Sequence, residues 1–188
     1  MEERKVKALI NILSHDYKSM CLNIVKHVCE NVHQKNSDGE NLLHTFVEEK
    51  YDEEGCLIAI KSLLELGVDP NNEDDNGCNF IATAIDNGYS VSFVIACIKE
   101  ALKHGLDINH QDHDGDTIIH EAIYGDNFKE SYGDLDALYS FVYDNGWKSA
   151  DVRNKKRETI SAAMKNSRKY SDRYKNRFIK RVQAREGR

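Results

Sequence analysis

Residues 114–122 read Asp-Gly-Asp-Thr-Ile-Ile-His-Glu-Ala, DGDTIIHEA, and the same cadence returns three times along the chain. DGENLLHTF starts at Asp38, NGCNFIATA at Asn76 and a decayed KRETISAAM at Lys156. Gly39, Gly77 and Gly115 are spaced 38 and 38 apart, and Arg157 stands in the glycine slot 42 further on. Four copies in one register mark an internal repeat, and a repeat of this length implies supersecondary units that bury their apolar faces by stacking on one another.

A second landmark moves in step with the first. Gly67-Val-Asp-Pro-Asn71 and Gly105-Leu-Asp-Ile-Asn109 each end six residues before the next repeat's glycine, and Gly146-Trp-Lys-Ser-Ala-Asp151 is one residue longer. A DGxTPLHxA-like opening, a helix, and then an LLxxGADxN-like close resemble the ankyrin repeat, and the chain looks like a divergent ankyrin protein with expanded repeats. The resemblance covers roughly residues 30–165, with DGDTIIHEA its most specific segment. It implies an all-α solenoid of stacked helix pairs with hairpin-like loops and terminal capping helices.

Each slot of the unit has a physical role under that resemblance. The glycine allows the positive φ of the turn before the first helix. Asn41, Asn79, Thr117 and Thr159 stand where a short polar side chain caps a helix N-terminus. His44 and His120 occupy the slot whose histidine bonds to the next repeat, whereas Ala82 and Ala162 lose it. Ala84 and Ala122 let paired helices approach, and Phe46 departs from that pattern. Second helices carry the apolar residues at helical spacing: Leu57, Ile60, Leu63 and Leu64, then Val94, Ile95, Ile98 and Leu102, then Leu138, Phe141 and Val142.

The expected organisation is an N-terminal capping helix pair over 1–34, about three full and one partial repeat over 35–165, and a basic C-terminal helix or cap over 166–188. Extra length over a ~33-residue repeat falls at Glu48–Gly55 and Tyr124–Leu135, and the second insertion, with Tyr124, Phe128 and Tyr132, reads as a contact loop.

Composition narrows the function class. Hydrophobic content of 40% with 31% charged residues in 188 suits one globular domain rather than a disordered chain or a large catalytic fold. No apolar run approaches the ~20 residues of a membrane span, and the charged N-terminal segment lacks a secretory pattern, so an intracellular, cytoplasmic location is expected. Five cysteines form no CxxC pair and are odd in number, which argues against a zinc ribbon or a disulfide framework.

Net charge of −6 conceals a reversal of sign: residues 153–188 carry 14 Lys+Arg against 3 Asp+Glu, leaving 12 against 29 in the remainder. The acidic residues gather at the hairpin tips: Asp38 and Glu40, then Asp74, Asp75 and Asn76, then Asp112, His113, Asp114 and Asp116. Because ankyrin proteins bind partners along these tips and the adjoining first helices, the resemblance implies an acidic working surface and a protein partner with a basic one.

The tail reads as one helix from Ser161 to Arg185, with Tyr170, Tyr174, Phe178 and Val182 at i+4 spacing. Around them Arg168, Lys169, Arg173, Lys175, Arg177, Lys180 and Arg181 are candidate anion or nucleic-acid contacts, with the aromatics available to stack on bases. The competing reading makes the aromatic stripe the packing face of a C-terminal cap.

Residues 110–121 imitate an EF-hand loop, with Gly115 at position six, Asp112 and Asp114 at three and five, and Glu121 at twelve. His110 stands where the loop needs Asp, and the equivalent segments end in Thr45 and Thr83, so no metal site is assigned. Nor does any Walker, GxSxG or dinucleotide fingerprint appear. The expectation is therefore a non-enzymatic binding module without cofactor, an adaptor, regulator or inhibitor. By analogy with small free-standing ankyrin proteins it would suit an effector of an intracellular bacterium, working in the host cytoplasm or nucleus. The alternative is a nucleic-acid-binding protein acting through the basic tail; oligomeric state is not legible.

Overall fold

The computed structural model describes residues 32–48, 52–125, 132–148 and 150–187. The capping pair expected over 1–34 lies almost wholly outside these, as does Phe128 of the contact loop. The described residues contain eight helices and no strand: α1 Leu42–Glu48, α2 Glu53–Glu65, α3 Phe80–Asp86, α4 Val91–Leu102, α5 Ile118–Tyr124, α6 Tyr132–Asp144, α7 Ile160–Asn166 and α8 Asp172–Arg185.

Inner helices α1, α3, α5 and α7 each have 7 residues. Two turns of helix do not persist alone in water. They persist here because each is capped and then buried between neighbours: α1 packs on α3, α3 on α5 and α5 on α7. Asn41 Oδ1 accepts from Leu43 N at 2.9 Å, Asn79 Oδ1 from Ile81 N at 3.1 Å, and Thr159 Oγ1 from Ala162 N at 3.3 Å. Thr117 reaches the same end with help from His120, whose Nδ1 accepts from Thr117 N at 3.3 Å. His120 Nε2 is then the protonated nitrogen and donates to Glu158 O at 3.2 Å. His44 makes the equivalent step with Nε2 3.1 Å from Cys78 O.

Longer outer helices stack in parallel, α2 on α4 and α4 on α6. Glycines end them: at Gly67 (φ 84°) the chain turns, and Val68 N donates back to Leu63 O at 3.0 Å. The landmark asparagines tie successive turns together. Asn71 donates to Gly105 O at 2.9 Å and accepts from Asp107 N at 2.7 Å, and Asn109 does the same with Gly146 O and Lys148 N. One hydrophobic cluster runs from Leu42 to Val182, and Phe46, placed where a small residue was expected, is 2% exposed within it.

Two expectations are corrected. The tail is two helices. Ser167 adopts an extended conformation (ψ 134°) that ends α7, and Ser171 caps α8 by accepting from Tyr174 N. Tyr170 thus lies in the connection, while Tyr174, Phe178 and Val182 form the buried stripe of α8. α8 packs on α7, and Phe178 meets Tyr139 of α6 edge-on at 5.4 Å, the place an outer helix holds in the earlier pairs. The second insertion is also shorter than it looked, since Tyr132–Leu135 already belong to α6.

Candidate binding groove

Each inner helix is preceded by a finger-like turn, and an Asn or Asp at one fixed position builds it. Asn36 Oδ1 accepts from the amides of Asp38 and Glu40, Asp74 Oδ1 from those of Asn76 and Cys78, and Asp112 Oδ1 from those of Asp114 and Asp116. Asn154 continues the series by accepting from Glu158 N. The turn needs a short side chain with an acceptor oxygen to satisfy amides that have no backbone partner. Asp74 and Asp112 therefore hold the fingers in shape, whatever else they contact.

Fingers lie edge to edge. Asp75 N donates to Asp38 O at 2.9 Å, His113 N to Asn76 O at 2.9 Å and Lys155 N to Asp114 O at 2.7 Å. Asn72 and His110 add side-chain links, to Gly39 O at 2.8 Å and Gly77 O at 2.7 Å. Contact is close enough that a Cβ on Gly77 would meet His113 Cδ2 at 2.6 Å and its backbone N at 2.7 Å.

Between the fingers and the inner helices runs a groove of about 530 Å³. Its walls are Glu40, Asp74, Asp75, Asn76, Cys78, Asp112, His113 and Asp114 from the fingers, and Glu48, Ala82, Thr83, Asp86, Asn87 and Glu121 from the helix side. Eight carboxylates and no lysine or arginine line it. Of the tip residues expected at a partner surface, Asp38, Asp75, Asn76, His113 and Asp114 are exposed and Glu40, Asp74 and Asp112 half-buried. Asp116 departs from the expectation: it is 7% exposed and its Oδ1 accepts from Asn154 Nδ2 at 2.7 Å, so it joins repeats instead of facing solvent.

The first helices were expected beside the tips, but the residues of their wall were not named. Thr45, Thr83 and Glu121 share one slot of the repeat, and Glu48, Asp86 and Tyr124 another. The 38-residue period would have shown both slots on one face. Glu121 is half-buried, and its carboxyl is pushed well above the usual range, first by burial and then by the charges of Asp112, Asp86 and Asp116. Burial likewise raises Asp116, against the hydrogen bond from Asn154.

Oxygens of Asp112, Asp116 and Glu121 lie within 4.8 Å of one another. This is a different trio from the EF-hand imitation, since Asp114 faces solvent 3.8 Å from Lys155 Nζ. The amides of the turn and Asn154 already claim oxygens of Asp112 and Asp116, and we assign no ion there.

Tyr124 of the expected contact loop is half-buried, and its hydroxyl donates to Glu158 at 2.5 Å while Lys156 lies 4.4 Å over its ring. Tyr132 opens α6.

Cations of the tail divide into two sets. Arg177 and Arg181 each approach Asp136 at 3.2 Å, Lys175 lies 3.7 Å from Asp172, and Lys169 donates to Gly125 O. Arg168, Arg173 and Lys180 are exposed, with no ion pair among the described residues. Tyr170, Tyr174 and Phe178 are at most 9% exposed. The aromatic rings expected to stack on bases are inside the protein.

No described helix is long and apolar enough to cross a membrane. Residues 89–130 match the family model described as ankyrin repeats (many copies). No curated protein matches the chain. The matched segment holds α4, α5 and the finger between them, the same unit that recurs along the stack, and the match identifies this segment of the chain as ankyrin repeat.

Proposed function

We propose that this chain is a non-enzymatic protein-binding module whose groove takes a basic segment of its partner. Ankyrin repeats are protein–protein interaction units, which supplies the class. The groove's lining of eight carboxylates without a lysine or arginine supplies the sign, and it is the observation that carries the reading. Such a concentration of charge raises the local concentration of cationic ligands and speeds their encounter. It also rejects polyanions from that face. An adaptor, regulator or inhibitor working inside a cell fits a surface of this kind, with no catalytic step attached to it. Nucleic acid is the weaker reading, because α8 offers phosphate contacts without exposed aromatics.

A fluorescent Arg/Lys-rich peptide titrated with the protein tests the proposal by anisotropy. Glu48, Asp75, Asp86 and Asp114 are exposed groove residues, so changing each to Lys reverses the field while leaving the turn-forming Asp74 and Asp112 in place. Binding should weaken at least tenfold in the fourfold variant and fall steeply with salt. Equal binding by the variant, or equal binding of an acidic peptide by the native protein, would overturn the assignment.

A further inference from the structure

The stack changes sign along its length. Fingers one to three are acidic, whereas the fourth carries Arg153, Lys155, Lys156 and Arg157, all exposed. α8 follows with Arg173, Arg177 and Lys180 on its solvent side, at i, i+4 and i+7, which is one helical row. Only one acidic residue, Asp172, precedes that row in the helix. Asp136 is shared between Arg177 and Arg181, so the row keeps an excess of positive charge. We propose that this face of α8 docks on the acidic groove of a second copy of the chain, joining molecules head to tail.

Three observations support that occupant. The first is charge complementarity within one sequence: a groove lined by no lysine or arginine, and a helix row whose cations outnumber the acids beside it, Asp172 and Asp136. Spacing is the second. Seven residues of helix set Arg173 and Lys180 about 10 Å apart, and successive fingers, one stacked helix apart, are separated by about 8–10 Å. The third is a precedent inside the molecule, where the basic fourth finger lies against the acidic third and Lys155 Nζ comes within 3.8 Å of Asp114 Oδ1. Groove and helix are different surfaces, so the contact is heterologous, and repeated from copy to copy it carries association beyond a dimer as concentration rises, into a ring or an open chain. The inference rests on the acidic groove being a site for basic partners, and it names the partner.

Sedimentation velocity of the full chain at 20 and 300 mM NaCl is the test. The native protein should gain mass with concentration at low salt and lose at least tenfold in association strength at high salt. Two neutralised variants, one with Asp75→Asn, Asp86→Asn and Asp114→Asn, the other with Arg173→Gln, Arg177→Gln and Lys180→Gln, should each be monomeric, with native circular dichroism. Mixed in equal amounts they should form a dimer and nothing larger, since one intact groove meets one intact helix. A native protein that stays monomeric at low salt overturns the inference, and if the basic peptide still binds the groove, the binding-module reading survives without it. Self-association that persists in either variant, or an α8 face that binds duplex nucleic acid while the protein remains monomeric, overturns it as well.

Discussion

Arg157 is the one non-glycine residue at positive φ among the described residues, at 61°, in a slot where Gly39, Gly77 and Gly115 sit at 77°, 79° and 77°. A side chain in the left-handed region costs about 1–2 kcal/mol through the contact of Cβ with its own carbonyl. Glycine there relieves that strain but loses more chain entropy on folding, about 0.5–1 kcal/mol. Arg157→Gly should therefore stabilise the protein by roughly 0.5–1 kcal/mol, or about 1–4 °C in melting temperature for a domain of this size. Removing one of four clustered cations on the fourth finger acts in the same direction. The reverse change separates conformational strain from crowding. At Gly105 (φ 87°) a Cβ meets nothing within 4 Å, so Gly105→Ala should cost only the strain less the chain entropy, about 0.5–1 kcal/mol. At Gly77 the added Cβ would also run into the backbone and ring of His113, and Gly77→Ala should cost about 2–4 kcal/mol. Urea unfolding of the three variants, followed by far-ultraviolet circular dichroism, gives all three values. An Arg157→Gly protein less stable than the native one, or equal losses at Gly105 and Gly77, would refute this account of the finger turn.

Further outcomes follow from the same geometry. Phe178 is 0% exposed against Tyr139, so Phe178→Ala should cost about 3–5 kcal/mol, whereas Arg173→Ala, on the exposed side of α8, should change stability by less than about 0.5 kcal/mol; equal effects would mean that α8 does not pack as described. Burial holds His44 and His120 below the ordinary imidazole value, so the unfolded chain binds more protons just below pH 6.5. Their contribution to stability is thus lost as pH falls through that region, and a His120→Gln variant should show a shallower acid slope in denaturation midpoints between pH 7 and 5. Glu121 works in the opposite sense: its folded-state value is raised, so the native state holds a proton that the unfolded chain releases, and stability falls as pH rises from the unfolded carboxylate range through the raised value. Glu121→Gln should remove that loss and exceed the native protein in melting temperature by a margin that grows with pH; a constant margin would place the proton elsewhere.

Sequence alone determined the repeat and the slots that depend on local chemistry. The spacing of Gly39, Gly77 and Gly115 and the caps at Asn41, Asn79, Thr117 and Thr159 are short-range requirements, because a tight turn needs positive φ and a helix start needs an acceptor within three residues. The histidine links of His44 and His120 were legible for the same reason, once the family resemblance named their slot. Acidic tips could be read off the finger register, but their division of labour could not. Asp74, Asp112 and Asp116 look like Asp75 and Asp114 in composition; only the folded turn shows that the first three spend oxygens on amides or on Asn154 while the other two face solvent.

Tertiary structure decided the rest. Glu48, Asp86 and Glu121 become groove residues because stacking brings inner helices 38 residues apart into one wall, and the Glu121 carboxyl is raised only by its burial in that wall and then by the charges of Asp112, Asp86 and Asp116. The aromatic stripe of the tail was visible as a period, yet a period of four does not say whether rings face a partner or the core. α6 settles that by taking Phe178 against Tyr139, which leaves Arg173, Arg177, Lys180 and Arg181, with Asp172, Asn176 and Gln183, on the solvent side of α8. Local rules act within a few residues and can be read along the chain, whereas burial and like-charge crowding are properties of neighbours that only the stack supplies.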